Sequence, residues 1–195
     1  MVPGFSRQVS QCRKRLGWQL PCLLALFSLV AACTPKYDWR DVRGTNAPFS
    51  ILLPAKPSIY ARPVNLGGIM ADMTMTAAEI DDVTFAVGTA ELPDAAQAQA
   101  ALLVMKDTLV KNIGGVVRHE KSQLSKTQST IDLDAGPAAA PAGKDAASKQ
   151  GARASAMHVH LVARDRRVYQ VIVIGRQSAI RPESVDTFLT SFKIE

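Results

Sequence analysis

The sequence predicts an α+β fold, an antiparallel sheet of about six to seven strands packed with one long helix and a short C-terminal helix. Two observations carry most of this prediction. Polar and apolar residues alternate from Ala71 to Ala77 and again from Val83 to Val87, which is the pattern of half-buried strands. Between residues 94 and 113 the apolar residues instead recur every three or four positions, which is the pattern of a helix with one buried face.

The N-terminal segment has the order of features found in a secretory signal. Residues 1–15 contain basic residues and no acid, and the apolar run within residues 16–32 ends in two alanines before Cys33. The ending Val30-Ala31-Ala32-Cys33 resembles the lipobox of bacterial lipoproteins. This resemblance implies that the signal is cut just before Cys33, that a diacylglycerol is joined to the Cys33 thiol, and that a fatty acid such as palmitate acylates the new amino group.

Two alternatives remain for this segment, an uncleaved membrane anchor and ordinary secretion. The apolar core from Leu20 to Ala32 is shorter than the roughly 20 residues that a membrane-spanning helix needs, and Pro21 interrupts it. We therefore expect a lipid-anchored protein of the bacterial cell envelope. Thr34 stands where an aspartate would resemble an inner-membrane retention signal, which favours the outer membrane, with the domain facing the periplasm.

Cleavage changes what the composition implies. The whole chain has a formal charge of +6, but four of its 23 basic residues lie before Cys33, so residues 33–195 keep 19 basic against 17 acidic residues. This near balance predicts no nucleic-acid partner. Of the three cysteines, Cys12 and Cys22 would leave with the signal. A mature chain with no free thiol and no disulfide suits an oxidising compartment.

After cleavage we expect a lipidated tether and entry segment at 33–47, followed by a single domain at 48–195. Two stretches near its start, Phe49–Pro54 and Ser58–Val64, predict strands because apolar residues are followed by proline or glycine turn signals. The chain between the removed signal and the domain is therefore short. It would hold the domain close to the membrane.

An antiparallel hairpin and the long helix come next. Residues 69–90 predict the hairpin, with its turn at Asp81-Asp82. Asp94 is a suitable N-cap for the helix, and Gly114-Gly115 a suitable stop. The apolar stripe of this helix, which we expect to pack on the sheet, comprises Ala98, Leu102, Met105, Leu109 and Ile113.

The rest of the chain predicts three more strands and the short helix. The strands lie at Val116–Lys121, residues 154–163 and Val168–Ile174, and the helix at Pro182–Phe192. Residues 134–151 contain no bulky apolar side chain, so they cannot bury enough surface to offset the cost of ordering. We interpret them as a disordered loop inserted into a hairpin, with an interdomain linker as the alternative.

This order of elements resembles the domain shared by PsbP-like photosystem proteins and DcrB-like bacterial lipoproteins. The matching residues are Phe49–Pro54, the long helix after the hairpin, and the closing Phe188-Leu189-Thr190-Ser191-Phe192. The resemblance implies an antiparallel sheet flanked by helices and a binding or assembly role at a membrane. It implies no catalytic residues, because these families share no catalytic motif.

Residues that could carry chemistry are few. His158 and His160 lie on the polar side of a predicted strand, about 7 Å apart by strand rise. They could share a metal ion if a third ligand came from elsewhere, and His119 is the first candidate. The alternative is a solvated pair that binds zinc weakly. No metalloprotease, serine-hydrolase or phosphate-loop motif is present in the sequence.

The Arg164-Asp165-Arg166-Arg167 run predicts a solvated turn, or a contact with anionic head groups or another acidic partner. From the sequence we expect a non-enzymatic lipoprotein without a cofactor. Its partner would be an envelope protein, a lipid or a glycan. The alternative is a hydrolase or metal-binding protein built from scattered residues, including His158 and His160.

Overall fold

Ten strands and two helices follow one another along the part of the chain that the computed structural model describes, residues 36–125, 127–138 and 155–195. The strands are β1 (Arg40–Arg43), β2 (Phe49–Leu53), β3 (Ser58–Asn65), β4 (Met70–Ile80), β5 (Val83–Glu91), β6 (Val116–Gln123), β7 (Gln128–Gly136), β8 (Ser155–Arg164), β9 (Arg167–Arg176) and β10 (Lys193–Ile194). The helices are α1 (Ala95–Asn112) and α2 (Pro182–Ser191). The predicted signal and the Cys33 attachment site lie outside the described residues.

The strands form two sheets. The main sheet has seven strands in the order β3-β4-β5-β9-β8-β7-β6, and every neighbouring pair is antiparallel. The small sheet has the order β1-β2-β10. With one helix of 18 residues and a shorter C-terminal helix, the predicted α+β class is confirmed. Within the described part of the chain, neither helix is long and apolar enough to span a bilayer.

Aspartates in the left-handed conformation close two of the hairpins. Asp81 and Asp82, between β4 and β5, have φ angles of 51° and 62°, and Asp165, between β8 and β9, has a φ of 54°. Aspartate tolerates this region because its short carboxylate can hydrogen-bond locally, and positive φ at both central residues matches the twist of the strands. The predicted hairpin at 69–90 and its turn are confirmed.

The first face of the main sheet packs against α1. The helix begins after Asp94, whose carboxylate accepts a hydrogen bond from the Gln97 amide at 2.8 Å, as predicted for an N-cap. Its buried residues are Ala98, Ala101, Leu102 and Met105, which lie over the middle of the sheet with Leu109 and Ile113 half-buried beside them. The predicted apolar stripe therefore covers the sheet.

The second face packs against the small sheet and α2, but only over its middle strands. Phe188 of α2 meets Phe85 of β5 edge to face, with ring centroids 5.4 Å apart, and Trp39 meets the same ring at 6.3 Å. Toward the β6 edge this cover ends. All eight residues of β6 are exposed, and the second-face residues Asp132 and Asp134 of β7 and His158 and His160 of β8 are half-buried.

The small sheet was not predicted from the sequence. Phe49–Leu53, expected in the main sheet, instead pairs with β1 and β10 and buries Phe49, Ile51 and Leu53 against the second face. Arg40–Arg43, expected in the entry segment, forms β1, and the compact unit of the chain begins at Tyr37. β10 lies far from β2 in the sequence, whereas β1 is the segment just before β2 and forms a hairpin with it.

One strand of the main sheet also differs from the prediction. β7 fills the gap between the predicted strand at Val116–Lys121 and the predicted loop, and it continues to Gly136. The first three residues of the predicted loop at 134–151 therefore belong to the sheet. Residues 139–154 lie outside the described residues, and the strands on either side of them, β7 and β8, pair antiparallel.

Candidate functional site

Six polar side chains lie together on the second face, where the cover of α2 ends. The register places Lys121, Asp132 and His160 side by side across β6, β7 and β8, and it places His119, Asp134 and His158 in the next such row. Residues directly opposite one another in a sheet share a face, so the two rows form one surface. We call these six residues the polar patch.

Each of the two neighbouring histidines is paired with a carboxylate. The Nδ1 of His158 lies 2.6 Å from Oδ1 of Asp134, and the Nδ1 of His160 lies 2.5 Å from Oδ1 of Asp132. The side chains are 32% and 26% exposed. An ionised carboxylate only accepts hydrogen bonds, so Nδ1 of each ring carries the proton and Nε2 remains available to a further partner.

This arrangement can position an imidazole for metal binding or proton transfer. Histidines that ligate metals usually donate their other ring N–H to a carboxylate, as His158 and His160 do here. A nucleophilic site would also need a hydroxyl or thiol within hydrogen-bond reach of the ring. Among the described residues, the only hydrogen-bond partners of these two rings are Asp134 and Asp132.

The structure brings His158 and His160 together but separates His119 from them. His119 lies on β6 across β7, two strand spacings or about 9.5 Å from the β8 backbone. In the described part of the chain, no three His, Cys, Asp or Glu side chains are arranged to hold a metal ion. The three-histidine metal site therefore remains a prediction from the sequence.

A groove of about 520 Å³ lies between α2 and the uncovered strands. Its strand side carries Arg118, Asp134 and His158, and its helix side carries Ile180, Val185 and Leu189. It forms because α2 directs its innermost side chain, Phe188, onto the middle of the sheet and leaves Asp134 of β7 and His158 of β8 only partly covered. We call it the α2 groove. Its strand side is polar and its helix side is apolar.

The arginine run forms the turn between β8 and β9 and lines a cavity of about 260 Å³. Glu91 binds both Arg166 and Arg167, the latter through Nη2 at 2.9 Å. The Arg167 hydrogen bond and the Arg166 charge lower the pKa of Glu91, and the same hydrogen bond raises the pKa of Arg167. Two of the three arginines are thus already paired with a carboxylate that they share.

Tyr169 lies beneath this turn and is almost fully buried, at 2% exposure. Burial raises the pKa of its hydroxyl. Its ring also packs against Phe192 at a centroid distance of 5.8 Å. This end of the sheet is therefore stabilised by contacts within the domain. Two of its arginines already take part in those contacts.

The exposed large apolar side chains of the described residues lie at the two edges of the main sheet. At the β3 edge they are Ile59, Tyr60 and Met70, and at the β6 edge they are Val116, Val117, Leu124 and Leu103 of α1. Arg62 and Pro63 lie within β3, and Arg118 through Lys121 place charges on β6. Such residues oppose the pairing of edge strands with other chains.

Sequence reasoning missed Asp132 and Asp134, the partners of the two histidines. One signal could have found them. In the run Ile131-Asp132-Leu133-Asp134-Ala135, apolar and polar residues alternate, and Ile131, Leu133 and Ala135 are all buried. This pattern predicts a strand with both carboxylates on its polar side.

No protein-family model matches the chain, and no curated protein sequence matches it significantly. The resemblance to PsbP-like and DcrB-like proteins therefore stays a prediction from the order of elements.

Proposed function

We propose that the chain is a lipid-anchored protein of the bacterial cell envelope with a non-enzymatic binding or assembly role. The observation that carries this proposal is the N-terminal signal ending in Val30-Ala31-Ala32-Cys33. Acylation at Cys33 would attach the protein to a membrane, and Thr34 favours the outer membrane. The domain would then face the periplasm, where its partner is an envelope protein, a lipid or a glycan.

The distance between Cys33 and the folded unit supports the anchoring. The unit begins at Tyr37, whose ring stacks on Trp39 at 5.6 Å. Four residue steps separate Cys33 from Tyr37, and a fully extended chain spans at most about 3.6 Å per residue, so the domain would start within about 14 Å of the acylated cysteine. This short tether would keep the start of the domain, at Tyr37, near the bilayer.

The shape of the domain supports binding rather than catalysis. The α2 groove offers an apolar wall opposite charged side chains. Specific binding sites combine apolar surface with a few placed polar groups in this way. Neither His158 nor His160 forms a hydrogen bond with a hydroxyl group in the described part of the chain.

Intact-mass analysis of the membrane-extracted protein, together with labelling by an alkyne analogue of palmitate, tests the proposal. The parent chain should begin at Cys33 and carry the label. The Cys33→Ser variant should keep residues 1–32 and take up no label. The matched control is Cys22→Ser, which changes a cysteine inside the signal and should be processed like the parent. Labelling of Cys33→Ser at the parental level would contradict the proposal.

A second candidate function is favoured by the two carboxylate-bound imidazoles. A hydrolase or metal-binding protein could use His158 and His160, with His119 as a further ligand, because each ring is already oriented by an aspartate. Two histidines leave a four-coordinate zinc site half filled. This candidate therefore needs further ligands from a bound molecule or from another protein.

A further inference from the structure

The chain enters the folded unit at one particular end of the main sheet. Trp39 lies 6.3 Å from Phe85, which is the third residue after the β4–β5 turn, and Tyr37 stacks on Trp39. β1 then runs away from this turn, since Arg43 at its end pairs with Glu195 at 3.1 Å and Glu195 lines the cavity at the β8–β9 turn. We call the end with the β4–β5 turn the anchored end.

The α2 groove lies at this same end. Val83, Gly175 and Ala156 lie side by side across β5, β9 and β8, in the first row after the β4–β5 turn. Ala156 lines the groove, as does Pro182 at the start of α2. Because at most about 14 Å of chain separates Tyr37 from Cys33, acylation would place the mouth of this groove next to the bilayer.

The helix wall of the groove suits a hydrocarbon chain. Ile180, Val185 and Leu189 line it, and each packs on the apolar cluster beneath α2. Leu189 and Ile180 are only half-buried, so part of this apolar surface faces the groove. A bound acyl chain would remove that surface from water.

The charges of the groove are mixed in sign. Arg118 is held over Gly136, where a Cβ atom would come within 3.0 Å of its Cζ, and its Nη2 donates to the Pro137 carbonyl oxygen at 3.1 Å. Asp134 and Asp186 supply two carboxylates. A ligand that carries both a phosphate and an ammonium group matches this set, with the phosphate at the guanidinium and the ammonium at the carboxylates.

We propose that the α2 groove binds a zwitterionic phosphoethanolamine lipid from the membrane that holds the anchor. The acyl chain lies along Ile180, Val185 and Leu189, and the head group lies between Arg118 and Asp186. The inference rests on the proposed function, because only acylation at Cys33 brings this groove to a bilayer. It names a membrane lipid as the ligand, from the location of the groove and the pattern of its charges.

Photo-crosslinking of the full, acylated chain in phosphatidylglycerol vesicles, which contain no competing zwitterionic lipid, tests this proposal. The vesicles contain a small fraction of either phosphatidylethanolamine or phosphatidylglycerol with a diazirine in the acyl chain. We expect the phosphatidylethanolamine probe to give adducts on the α2 peptide and the phosphatidylglycerol probe to give several-fold fewer. Equal labelling by both probes, or phosphatidylethanolamine adducts confined to other peptides, would overturn the proposal.

Two exposed carboxylates of α2 supply a matched pair of variants. Asp186→Asn should lower the phosphatidylethanolamine adducts by about two- to fivefold, the range expected for one exposed charge pair. Glu183→Gln changes a carboxylate that does not line the groove and should leave the adducts at the parental level. An unchanged yield in Asp186→Asn would overturn the assignment of the head group.

Vesicle flotation in the same samples separates the two proposals. A chain that fails to float with vesicles is not lipid-anchored, and this outcome would contradict the proposed function. A chain that floats through Cys33 but gives no adduct in the α2 groove would contradict the inference alone.

Discussion

At the scale of single residues, the polar patch contains the most specific geometry in the protein. His158 and His160 project from one strand, and Asp134 and Asp132 project from the neighbouring strand at the same spacing. Each ring is therefore held by its own hydrogen bond to an aspartate. Each pair is partly exposed, so we expect it to contribute little to stability, typically less than about 1 kcal/mol.

Replacing both histidines with glutamine tests this description of the patch. Glutamine is polar and can still donate to the neighbouring aspartates, so the free energy of unfolding should fall by less than about 2 kcal/mol for the two pairs together. Chemical denaturation followed by circular dichroism measures this change. A loss of several kcal/mol would show that the rings carry more of the packing than their exposure indicates.

The same double variant decides the metal question. If the histidines are a surface pair, calorimetry with zinc alone should show weak binding to the parent chain, because two ligands half fill the preferred site. Tight binding of one zinc ion per chain, lost in the double variant, would contradict that account and favour the second candidate function. Asp132→Asn offers a conservative control that keeps both imidazoles.

At the scale of secondary-structure elements, an element could be predicted when the sequence pattern that specifies it is local. α1 was predicted well because its N-cap and its apolar stripe all lie within 20 residues of sequence. The β4–β5 hairpin was predicted for the same reason. Strand β2 was placed in the wrong sheet for two reasons: its partner β10 lies at the far end of the chain, and its other partner, the preceding strand β1, was interpreted as part of the entry segment.

The prediction failed at β7 for a different reason: the alternating sequence pattern of this strand was present and was not used. Its last residues have small side chains and precede a run of alanine, glycine and proline, which extended the predicted loop too far back. The missed strand also made the prediction of the candidate site wrong in part. Without β7, neither Asp132 nor Asp134 could be placed beside the histidines, and His119 was expected next to them.

The segment between β7 and β8 provides a prediction at this scale. Replacing residues 139–151 with a short Gly-Ser linker should change the free energy of unfolding by less than about 1 kcal/mol, because the cost of closing a loop varies slowly with its length. Thermal melts of the two proteins measure the difference. For contrast, Leu133→Ala in the adjoining strand removes a side chain that is 2% exposed and should cost about 2–5 kcal/mol.

A cooperative drop in melting temperature on replacing 139–151, comparable to that of Leu133→Ala, would show that these residues pack against the domain. The interpretation as a dispensable loop would then be wrong.

At the scale of the whole molecule, the two ends of the main sheet differ. The end at the β4–β5 turn receives the chain from the tether and carries the α2 groove. The end at the β8–β9 turn carries Arg164–Arg167, where two of the arginines share an ion pair with Glu91. The strands between them are nine to eleven residues long in β4 and β5, which corresponds to about 30 Å.

Because the two ends of the main sheet differ, the partner expected for the arginine run also changes. With a tether of about 14 Å at the opposite end, the β8–β9 turn would point away from the bilayer when the groove faces it. A contact between these arginines and anionic head groups is then disfavoured. An acidic partner in the periplasm remains compatible with their position.

The central claim, that the protein is held to a membrane through Cys33, is tested most directly by detergent-phase separation of the Cys33→Ser variant. Each methylene buried in the bilayer contributes about 0.8 kcal/mol, and two lipid chains already give stable anchoring. The account predicts that the parent chain and the Cys22→Ser control enter the detergent phase, while Cys33→Ser is lost from it and keeps its signal uncut. Partitioning of Cys33→Ser into the detergent phase at the parental level, with normal processing, would contradict the account.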